Sequence, residues 1–239
     1  MKTRLKQGFT LIELLVVITI IAILASLAVP TFSKIQERGN MTKGISNCRQ
    51  IITTLRIYSA DNNGNYPDTN ATAGGGTGGG AVATANAAFR ELFIGGQVSD
   101  EKIFGCPSSL NGNPDGNIGT SPAYAEAVAA GENHWALTAG LNDSASGSIP
   151  VVFENATSAG GFDPTWDVKA AGRNTRGRTW GGGKVIVGMN DSSVSPLTCD
   201  LSSGKLKAQG TGKNVFAQAG DTSGSGAAAF TILDILPKS

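Results

Sequence analysis

Apolar positions dominate the first thirty residues, after a short basic flank. Lys2, Arg4 and Lys6 precede an apolar run over residues 9–29. As an α-helix, this run of 21 residues is about 31 Å long, because each residue adds about 1.5 Å, and a bilayer's hydrocarbon core is about 30 Å thick. The pattern therefore predicts a membrane-spanning helix, and the basic flank favours a cytoplasmic N-terminus.

Beyond Pro30 the apolar positions become periodic. They recur at alternating spacings of four and three residues, at Met41, Ile45, Cys48, Ile52 and Leu55. This spacing forms an apolar stripe along one face of an α-helix. We expect one helix over about residues 9–60, apolar all round in its first half and amphipathic in its second. Gly39 and Gly44 each cost about 1 kcal/mol relative to Ala, so they indicate a softer segment.

The helix is predicted to end in the segment SADNNGNYPD. Asp61 begins a cluster of turn-forming residues, and Pro67 prevents the helix from continuing. The acidic and amide positions also resemble the start of a calcium loop. However, Tyr66 stands where such a loop needs Gly, and Thr72 stands where it needs Glu. The sequence therefore favours a turn.

The remaining chain predicts a sheet with long glycine-rich connections. Residues 71–88 are rich in Gly and Ala, and we expect a flexible coil there. AFRELFIGG predicts one or two helical turns. HWALTAGL, IPVVFENA and GKVIVGMNDSSVSPLT predict strands, with a turn at Asn190, Asp191 and Ser192. A long helix followed by antiparallel strands gives an α+β fold, with the helix packed on a C-terminal antiparallel β-sheet head.

Glu13 is the single acid of the apolar run. Insertion scales assign about 2.5–3.5 kcal/mol to a charged residue at the centre of a membrane helix, and less near its end. A cut after Gly8 would place the α-ammonium of Phe9 four residues from Glu13. An ion pair at about 4 Å contributes about 4 kcal/mol at an effective dielectric of 20. The pair would form within one helix or between neighbouring chains, and the second arrangement would make the acid an assembly device.

The segment KQGFTLIELLVVITIIAILASLAVP resembles the N-terminal signature of the type IV pilin and type II secretion pseudopilin superfamily. This resemblance is specific over residues 7–30 and covers about the first sixty residues. It implies that a prepilin peptidase cleaves between Gly8 and Phe9 and N-methylates Phe9. It also implies that Glu13 registers each incoming subunit in a filament, and that Pro30 kinks the helix.

The resemblance also implies an organisation and a function. We expect a leader at residues 1–8, a transmembrane assembly helix at 9–30, an amphipathic half at 31–62 and a pilin-like head at 63–239. The expected function is that of a structural subunit of a type IV pilus-like filament. A type II secretion pseudopilin that drives protein export is preferred, because the NNGNYP junction is similar to that of many pseudopilins.

Partners and location follow from the same resemblance. We expect self-association into a helical filament, with contacts to prepilin peptidase, other pseudopilins and an inner-membrane assembly platform. The helix would cross the inner membrane once, with the head in the periplasm and the filament periplasmic or at the cell surface.

Two alternatives remain open. One is an adhesive, motility or DNA-uptake type IV pilin. The other, of a different class, is a soluble periplasmic binding domain released by signal peptidase after Ala28, because small residues precede that position.

Composition gives little support for a cofactor or metal site. Without the leader, 16 basic residues face 18 acids, for a net charge of −2, which gives no general field for polyanions. Cys48 lies on the apolar stripe and is predicted to be a packed thiol, whereas Cys106 and Cys199 are expected to form a disulfide in the head. The absence of C-x-x-C gives no support to a zinc or redox site. We expect no cofactor and no metal site, apart from calcium in the head, for which there is no motif.

Catalysis is not expected. His134 is the single histidine, and no nucleophile motif accompanies it, so we predict a surface or packing residue. The acids Asp163, Asp167, Asp191 and Asp200 lie among turn residues, where Asp commonly caps the backbone.

A basic segment lies at residues 169–184. It contains Lys169, Arg173, Arg176, Arg178 and Lys184 around Trp180. Basic residues with an aromatic side chain can follow a nucleic-acid backbone and stack on bases. A solvated glycine-rich loop explains the same residues and is preferred, so nucleic-acid binding is not expected.

Overall fold

The computed structural model describes residues 10–68, 83–107, 109, 113–158, 162–171, 175–208, 214–217 and 230–237, without the side chains of residues 28–31. The described part comprises two helices and five strands: α1 (Leu11–Asp61), α2 (Ala85–Ile94), β1 (Trp135–Ala139), β2 (Pro150–Glu154), β3 (Lys184–Met189), β4 (Val194–Thr198) and β5 (Thr231–Leu233). Short 3-10 turns occur at Glu101–Phe104 and Val168–Ala170. The predicted α+β class is confirmed.

The chain divides into two compact units, Met1–Gly39 and Asn40–Ser239. The boundary falls inside α1, so residues 40–61 of this helix belong to the same unit as the head. It lies within the segment predicted as the amphipathic half of the helix.

In the first unit, the described part of α1 exposes its apolar side chains. Leu11 is 88% exposed, and Leu24, about three-quarters of the way along the predicted span, is still 62% exposed. Residues 10–27 contain no buried side chain among those described. The hydroxyls of Thr19 and Ser26 each donate to a carbonyl of their own helix at 2.8 Å, which suits a helix surrounded by lipid. Among the described residues, α1 alone is long and apolar enough to cross a membrane.

In the second unit, the predicted apolar stripe of α1 packs into the core of the head. Cys48, Ile52 and Leu55 are buried, and Met41 and Ile45 are partly buried against the same core. The Cys48 thiol lies 3.7 Å from the carbonyl oxygen of Val152 in β2. The stripe and the packed thiol are both confirmed.

Two glycines allow this close approach of helix and sheet. A Cβ at Gly44 would lie 2.7 Å from Ile186 Cδ1, and a Cβ at Gly188 of β3 would lie 2.2 Å from Ile52 Cδ1. Such distances are too short for real Cβ atoms, so a side chain at either position would force the isoleucine to move. Gly44 therefore contributes to the packing between helix and sheet, besides being the softer position that the sequence suggested. A Cβ at Gly39 would meet no atom within 4 Å.

The five strands form one antiparallel sheet in the order β4-β3-β2-β1-β5. The three predicted strand segments contain β1 to β4, and the predicted turn joins β3 to β4. In that turn, Met189 N donates to Ser193 O at 2.8 Å and Ser192 has a φ of 69°. The sequence analysis missed β5, because three residues are too few to show an alternating pattern.

The end of α1 follows the prediction. After Asp61 the chain turns through Asn63 and Gly64, which have φ values of 55° and 82°. Gly64 N donates to the carbonyl of Ser59 at 2.8 Å, which satisfies one of the last helical acceptors.

The predicted coil at residues 71–88 is wrong at its C-terminal end, because α2 begins at Ala85. Thr84 caps this helix by accepting a hydrogen bond from Ala87 N at 3.3 Å. The apolar face is buried, and the ring of Phe89 stacks on that of Phe104 with centroids 4.9 Å apart. Residues 71–82 lie outside the described part of the chain.

Candidate functional site

The first turn of α1 holds Glu13 in a capping box with Thr10. Thr10 N and Thr10 Oγ1 donate to Glu13 Oε2 at 2.9 and 2.8 Å, and Glu13 N donates to Thr10 Oγ1 at 3.3 Å. This reciprocal arrangement satisfies free amides at the start of a helix. The sequence analysis missed it, although the spacing of Thr and Glu in TLIE is its usual signal.

The capping box directs the carboxylate back toward residue 9. The amide nitrogen of Thr10 is three covalent bonds from the nitrogen of Phe9, a separation of at most about 3.7 Å. A cut before Phe9 would convert that nitrogen into an ammonium close to Glu13. Gly8 and Phe9 themselves lie outside the described residues, so cleavage and methylation remain predictions.

The predicted kink at Pro30 also remains a prediction. The helix is assigned without a break from Leu11 to Asp61, and the side chain of Pro30 is outside the described part of the structure.

Comparison with known proteins bears on this N-terminal site. Residues 3–29 match the family described as the prokaryotic N-terminal methylation motif. The N-terminal segment carries the prepilin signature. This signature marks the type IV pilin and type II secretion pseudopilin superfamily, as the sequence indicated.

Curated relatives share the same region. The chain is 42% identical over 69 residues to type II secretion system core protein G of Aeromonas hydrophila, covering 29% of this chain and 48% of that protein. It is 42% identical over 65 residues to the protein of the same name in Escherichia coli K12, covering 27% and 44%. It is 38% identical over 55 residues to the type IV major pilin protein PilA of Myxococcus xanthus, covering 23% and 25%.

These matches concern part of each protein. The chain spans about half the length, or less, of the curated relatives it matches. No solved structure matches the chain.

The head contains a second group of chemically notable residues, centred on a buried acid. Glu154, at the end of β2, is 1% exposed. Its carboxylate accepts hydrogen bonds from Trp180 Nε1 at 2.9 Å and from the backbone N of Ile186 at 2.8 Å. His134 Nε2 lies 2.9 Å from Glu154 Oε1. Three donors therefore surround this carboxyl group in the interior, which compensates for its loss of water.

The hydrogen-bond partners determine which His134 nitrogen carries the proton. Asn155 Oδ1 accepts from Gly177 N at 2.9 Å, so the amide nitrogen of Asn155 faces His134. That nitrogen lies 3.0 Å from His134 Nδ1 and donates to His134 O at 3.0 Å. We therefore assign Nδ1 as an acceptor and Nε2 as the protonated donor to Glu154. His134 was predicted to be a surface or packing residue, and it instead lies at the centre of a buried polar cluster.

In the same cluster, contacts link Ser109 to His134 and His134 to Glu154, an arrangement that was not predicted from the sequence. Ser109 Oγ lies 2.6 Å from His134 Nδ1. Hydrolases use these three groups, but their nucleophile must reach a substrate. Ser109 is 5% exposed and His134 1%. The open groove of about 470 Å³ between α1 and residues 97–103 includes neither residue. The geometry favours a role in holding the head together.

The predicted Cys106–Cys199 disulfide is wrong, because both residues are free thiols in the structure. Cys106 Sγ lies 4.0 Å from Glu154 Oε1, whereas Cys199 follows β4 and pairs with Leu206 in an isolated bridge. Burial raises the pKa of the Cys106 thiol and raises that of Cys199 to about 12. Both thiols therefore stay protonated and unreactive near neutral pH.

The basic segment is not a solvated loop throughout. Arg178 is 3% exposed, and its guanidinium carbon lies 4.2 Å from the ring centroid of Trp180. Arg176 forms an ion pair with Asp234 and donates through Nε to Ala156 O at 2.9 Å. The preferred loop interpretation is therefore wrong at Arg178 and Trp180.

Burial also removes the basis for the nucleic-acid alternative. The indole of Trp180 is buried and donates to Glu154, so its face is unavailable for stacking on bases. Lys169 is exposed and Lys184 is half-buried, and Arg173 lies outside the described residues.

Three of the four acids predicted to cap the backbone do so. Oδ1 atoms accept backbone hydrogen bonds at Asp167 from Lys169 N, at Asp191 from Ser193 N and at Asp200 from Ser202 N, all between 2.8 and 2.9 Å. Asp163 differs, since it accepts from Asn214 Nδ2 at 2.7 Å and pairs with Lys205.

Proposed function

We propose that this protein is a structural subunit of a type IV pilus-like filament, specifically a type II secretion pseudopilin. In this proposal it is cleaved after Gly8, methylated on Phe9 and assembled through α1 to drive protein export. One observation carries the proposal: residues 11–27 of α1 expose an all-round apolar surface whose single acid, Glu13, lies in the first turn, within a matched methylation motif.

The exposed apolar surface of residues 11–27 favours association with a partner. Burying a Leu or Ile side chain contributes about 1.5–3 kcal/mol, and residues 11–27 leave this contribution unused within the chain. A bilayer can bury this apolar surface before assembly, and neighbouring helices can bury it afterwards. The helix therefore supports association but gives no register by itself.

Register requires a charged partner for Glu13. A carboxylate in an apolar layer is costly unless a positive group lies beside it. The Phe9 ammonium supplies that group within reach of Glu13. When the pair forms between chains, only one axial position satisfies both charges, so each incoming subunit docks at a defined height.

The pseudopilin assignment is supported by relatives named type II secretion system core protein G, at about 40% identity over the N-terminal region. We place the subunit in the inner membrane with its head in the periplasm. Its proposed partners are prepilin peptidase, other pseudopilins and the assembly platform. Relatives of this kind are structural components, and we assign no catalysis to this chain.

A second candidate is a type IV pilin with adhesive, motility or DNA-uptake function, supported by the match to PilA. Filaments of that kind emerge from the cell, so shearing should release them. Recovery of this polypeptide in sheared surface filaments would favour the pilin, and loss of protein export on deletion, without surface filaments, would favour the pseudopilin.

Mass spectrometry of the mature N-terminus tests the proposal against release by signal peptidase. We expect N-methyl-Phe9 as the first residue in cells that contain prepilin peptidase. In cells without that enzyme, the intact leader should persist. A soluble chain that begins at Val29 would overturn the proposal.

A further inference from the structure

Three side chains from separate segments of the head bring metal-binding atoms together. Cys106 Sγ, His134 Nε2 and a carboxylate oxygen of Glu154 all lie within 4.8 Å of one another, and all three residues are buried. We propose that these side chains form a binding site for Zn²⁺. This inference does not depend on the proposed function.

The distances between the ligand atoms are close to those of a zinc site. Zn²⁺ binds sulfur at about 2.3 Å and nitrogen or carboxylate oxygen at about 2.0–2.2 Å. Tetrahedral angles then separate nitrogen from oxygen by about 3.4 Å and sulfur from oxygen by about 3.6 Å. The structure has 2.9 Å between His134 Nε2 and Glu154 Oε1, and 4.0 Å between Cys106 Sγ and the same oxygen. Shifts of about half an ångström would therefore admit the ion.

The surrounding hydrogen bonds orient two of the ligands. Glu154 Oε2 accepts from Ile186 N at 2.8 Å. Trp180 Nε1 donates to both carboxylate oxygens, at 2.9 Å to Oε1 and 3.0 Å to Oε2, which fixes the carboxylate with Oε1 beside His134 Nε2. Ser109 Oγ lies 2.6 Å from His134 Nδ1 and can accept a hydrogen bond from an N–H at that position. Metal-binding histidines commonly donate their second N–H to such a partner.

Binding of the ion needs one proton transfer and one proton release. The proton of His134 moves from Nε2 to Nδ1, where the N–H donates to Ser109 Oγ, and the Asn155 amide keeps only its hydrogen bond to His134 O. The Cys106 thiol releases one proton to solvent as its sulfur binds the ion. The thiolate and the Glu154 carboxylate then offset the two positive charges.

Such a site would tie the segment that contains Cys106 to the paired strands β1 and β2. Cys106 lies ahead of β1, His134 immediately precedes β1, and Glu154, at the end of β2, pairs with Trp135 in the sheet. Glu154 is 48 residues from Cys106 and 20 from His134, which explains why no local motif was visible. The ion would supply the cross-link that the sequence analysis sought in a disulfide.

Cobalt titration of the full-length protein in detergent tests the site. After treatment with a chelator, Co²⁺ should bind at about one ion per chain and give a near-ultraviolet thiolate-to-cobalt band, which Zn²⁺ should displace. Cys106→Ser should remove that band. Cys199→Ser, which changes another buried thiol, should retain it. Absence of the band from the parent protein, or the same band in Cys106→Ser, would overturn the proposal.

A second measurement needs no variant. X-ray absorption of the zinc-loaded parent protein should show one sulfur ligand at about 2.3 Å and lighter ligands at about 2.0–2.2 Å. Zinc should also raise the melting temperature of the head, by roughly 5–10 °C at a hundredfold excess over Kd. A zinc shell made only of nitrogen and oxygen would show adventitious binding at the surface and exclude the site.

Discussion

The two halves of α1 use the same kinds of side chain in opposite ways. Leu24 in the first half is 62% exposed, whereas Leu55 in the second is completely buried. Residues 11–27 present apolar side chains on every face, and residues 40–61 present them along one stripe that the sheet covers. The second half thus finds its partner within the chain, and the first requires one outside it. This contrast supports the proposed role of the N-terminal half in assembly.

The largest expected effect comes from removing the acid of the first half. Glu13→Ala should leave membrane insertion and the head intact but reduce filament formation by roughly a thousandfold, because an ion pair of about 4 kcal/mol is lost. Cross-linking of subunits in membranes, followed by microscopy of filaments, measures this effect.

Thr10→Val is the matched control for that variant. It removes the hydroxyl that contacts Glu13 while keeping the carboxylate, so it should cost only about 1 kcal/mol of helix capping. Filaments should still form. If Thr10→Val fails like Glu13→Ala, the acid acts through the capping box and not through an ammonium partner.

A pair of leucine variants tests the contrast directly. Leu55→Ala should lower the free energy of unfolding of the head by about 2–5 kcal/mol, because it leaves a cavity between helix and sheet. Leu24→Ala should change it by less than about 0.5 kcal/mol. Denaturant titration followed by tryptophan fluorescence measures both, since Trp135, Trp166 and Trp180 all lie in the head. Equal losses in the two variants would remove the distinction between the halves.

A pair of glycine variants sharpens the same comparison. Gly44→Ala should destabilise the head by about 1–3 kcal/mol, because the new Cβ would meet Ile186 Cδ1 at 2.7 Å. Gly39→Ala should stabilise its helical segment by about 0.5–1 kcal/mol, because no atom lies within 4 Å of the new Cβ. Measurements of helical content and of unfolding midpoints test both substitutions. Stabilisation by Gly44→Ala would show that the helix and sheet are less closely packed than described.

The smallest expected effect concerns pH. Hydrogen bonds from the Lys207 side chain, and then from Ser202 and Ser203, hold the pKa of Asp200 below its usual range. The folded head therefore binds this proton less readily than the unfolded chain, so the contribution is present above about pH 4 and disappears as the pH falls further. Asp200→Asn should flatten the decline in stability below pH 4 slightly. A steeper decline in the variant would contradict the sign of the shift.

Patterns that repeat locally were the predictable part of this molecule. The stripe that ends at Leu55 repeats over four helical turns, and the NDS turn between β3 and β4 stands between two apolar runs. The N-terminal site was equally visible, because Glu13 is the single acid in an apolar run and the motif is contiguous.

Features that depend on distant segments were not predictable. Only the folded sheet brings Cys106, His134 and Glu154 together, so these residues show no characteristic spacing in the sequence. The predicted disulfide failed for the same reason, since composition says that cysteines are present but not which segments lie side by side. Arg178 resembled a surface cation until the fold placed it over Trp180 in the interior.

The burial of Glu154 among hydrogen-bond donors has a consequence for how the head folds. The carboxylate has its hydrogen-bond partners only when β3, Trp180 and the start of β1 are all in place. A head that lacks any of these segments leaves a buried polar group unpaired, which is costly. We therefore expect Glu154 to make folding of the head more cooperative, so that partly folded subunits open to proteases are less populated.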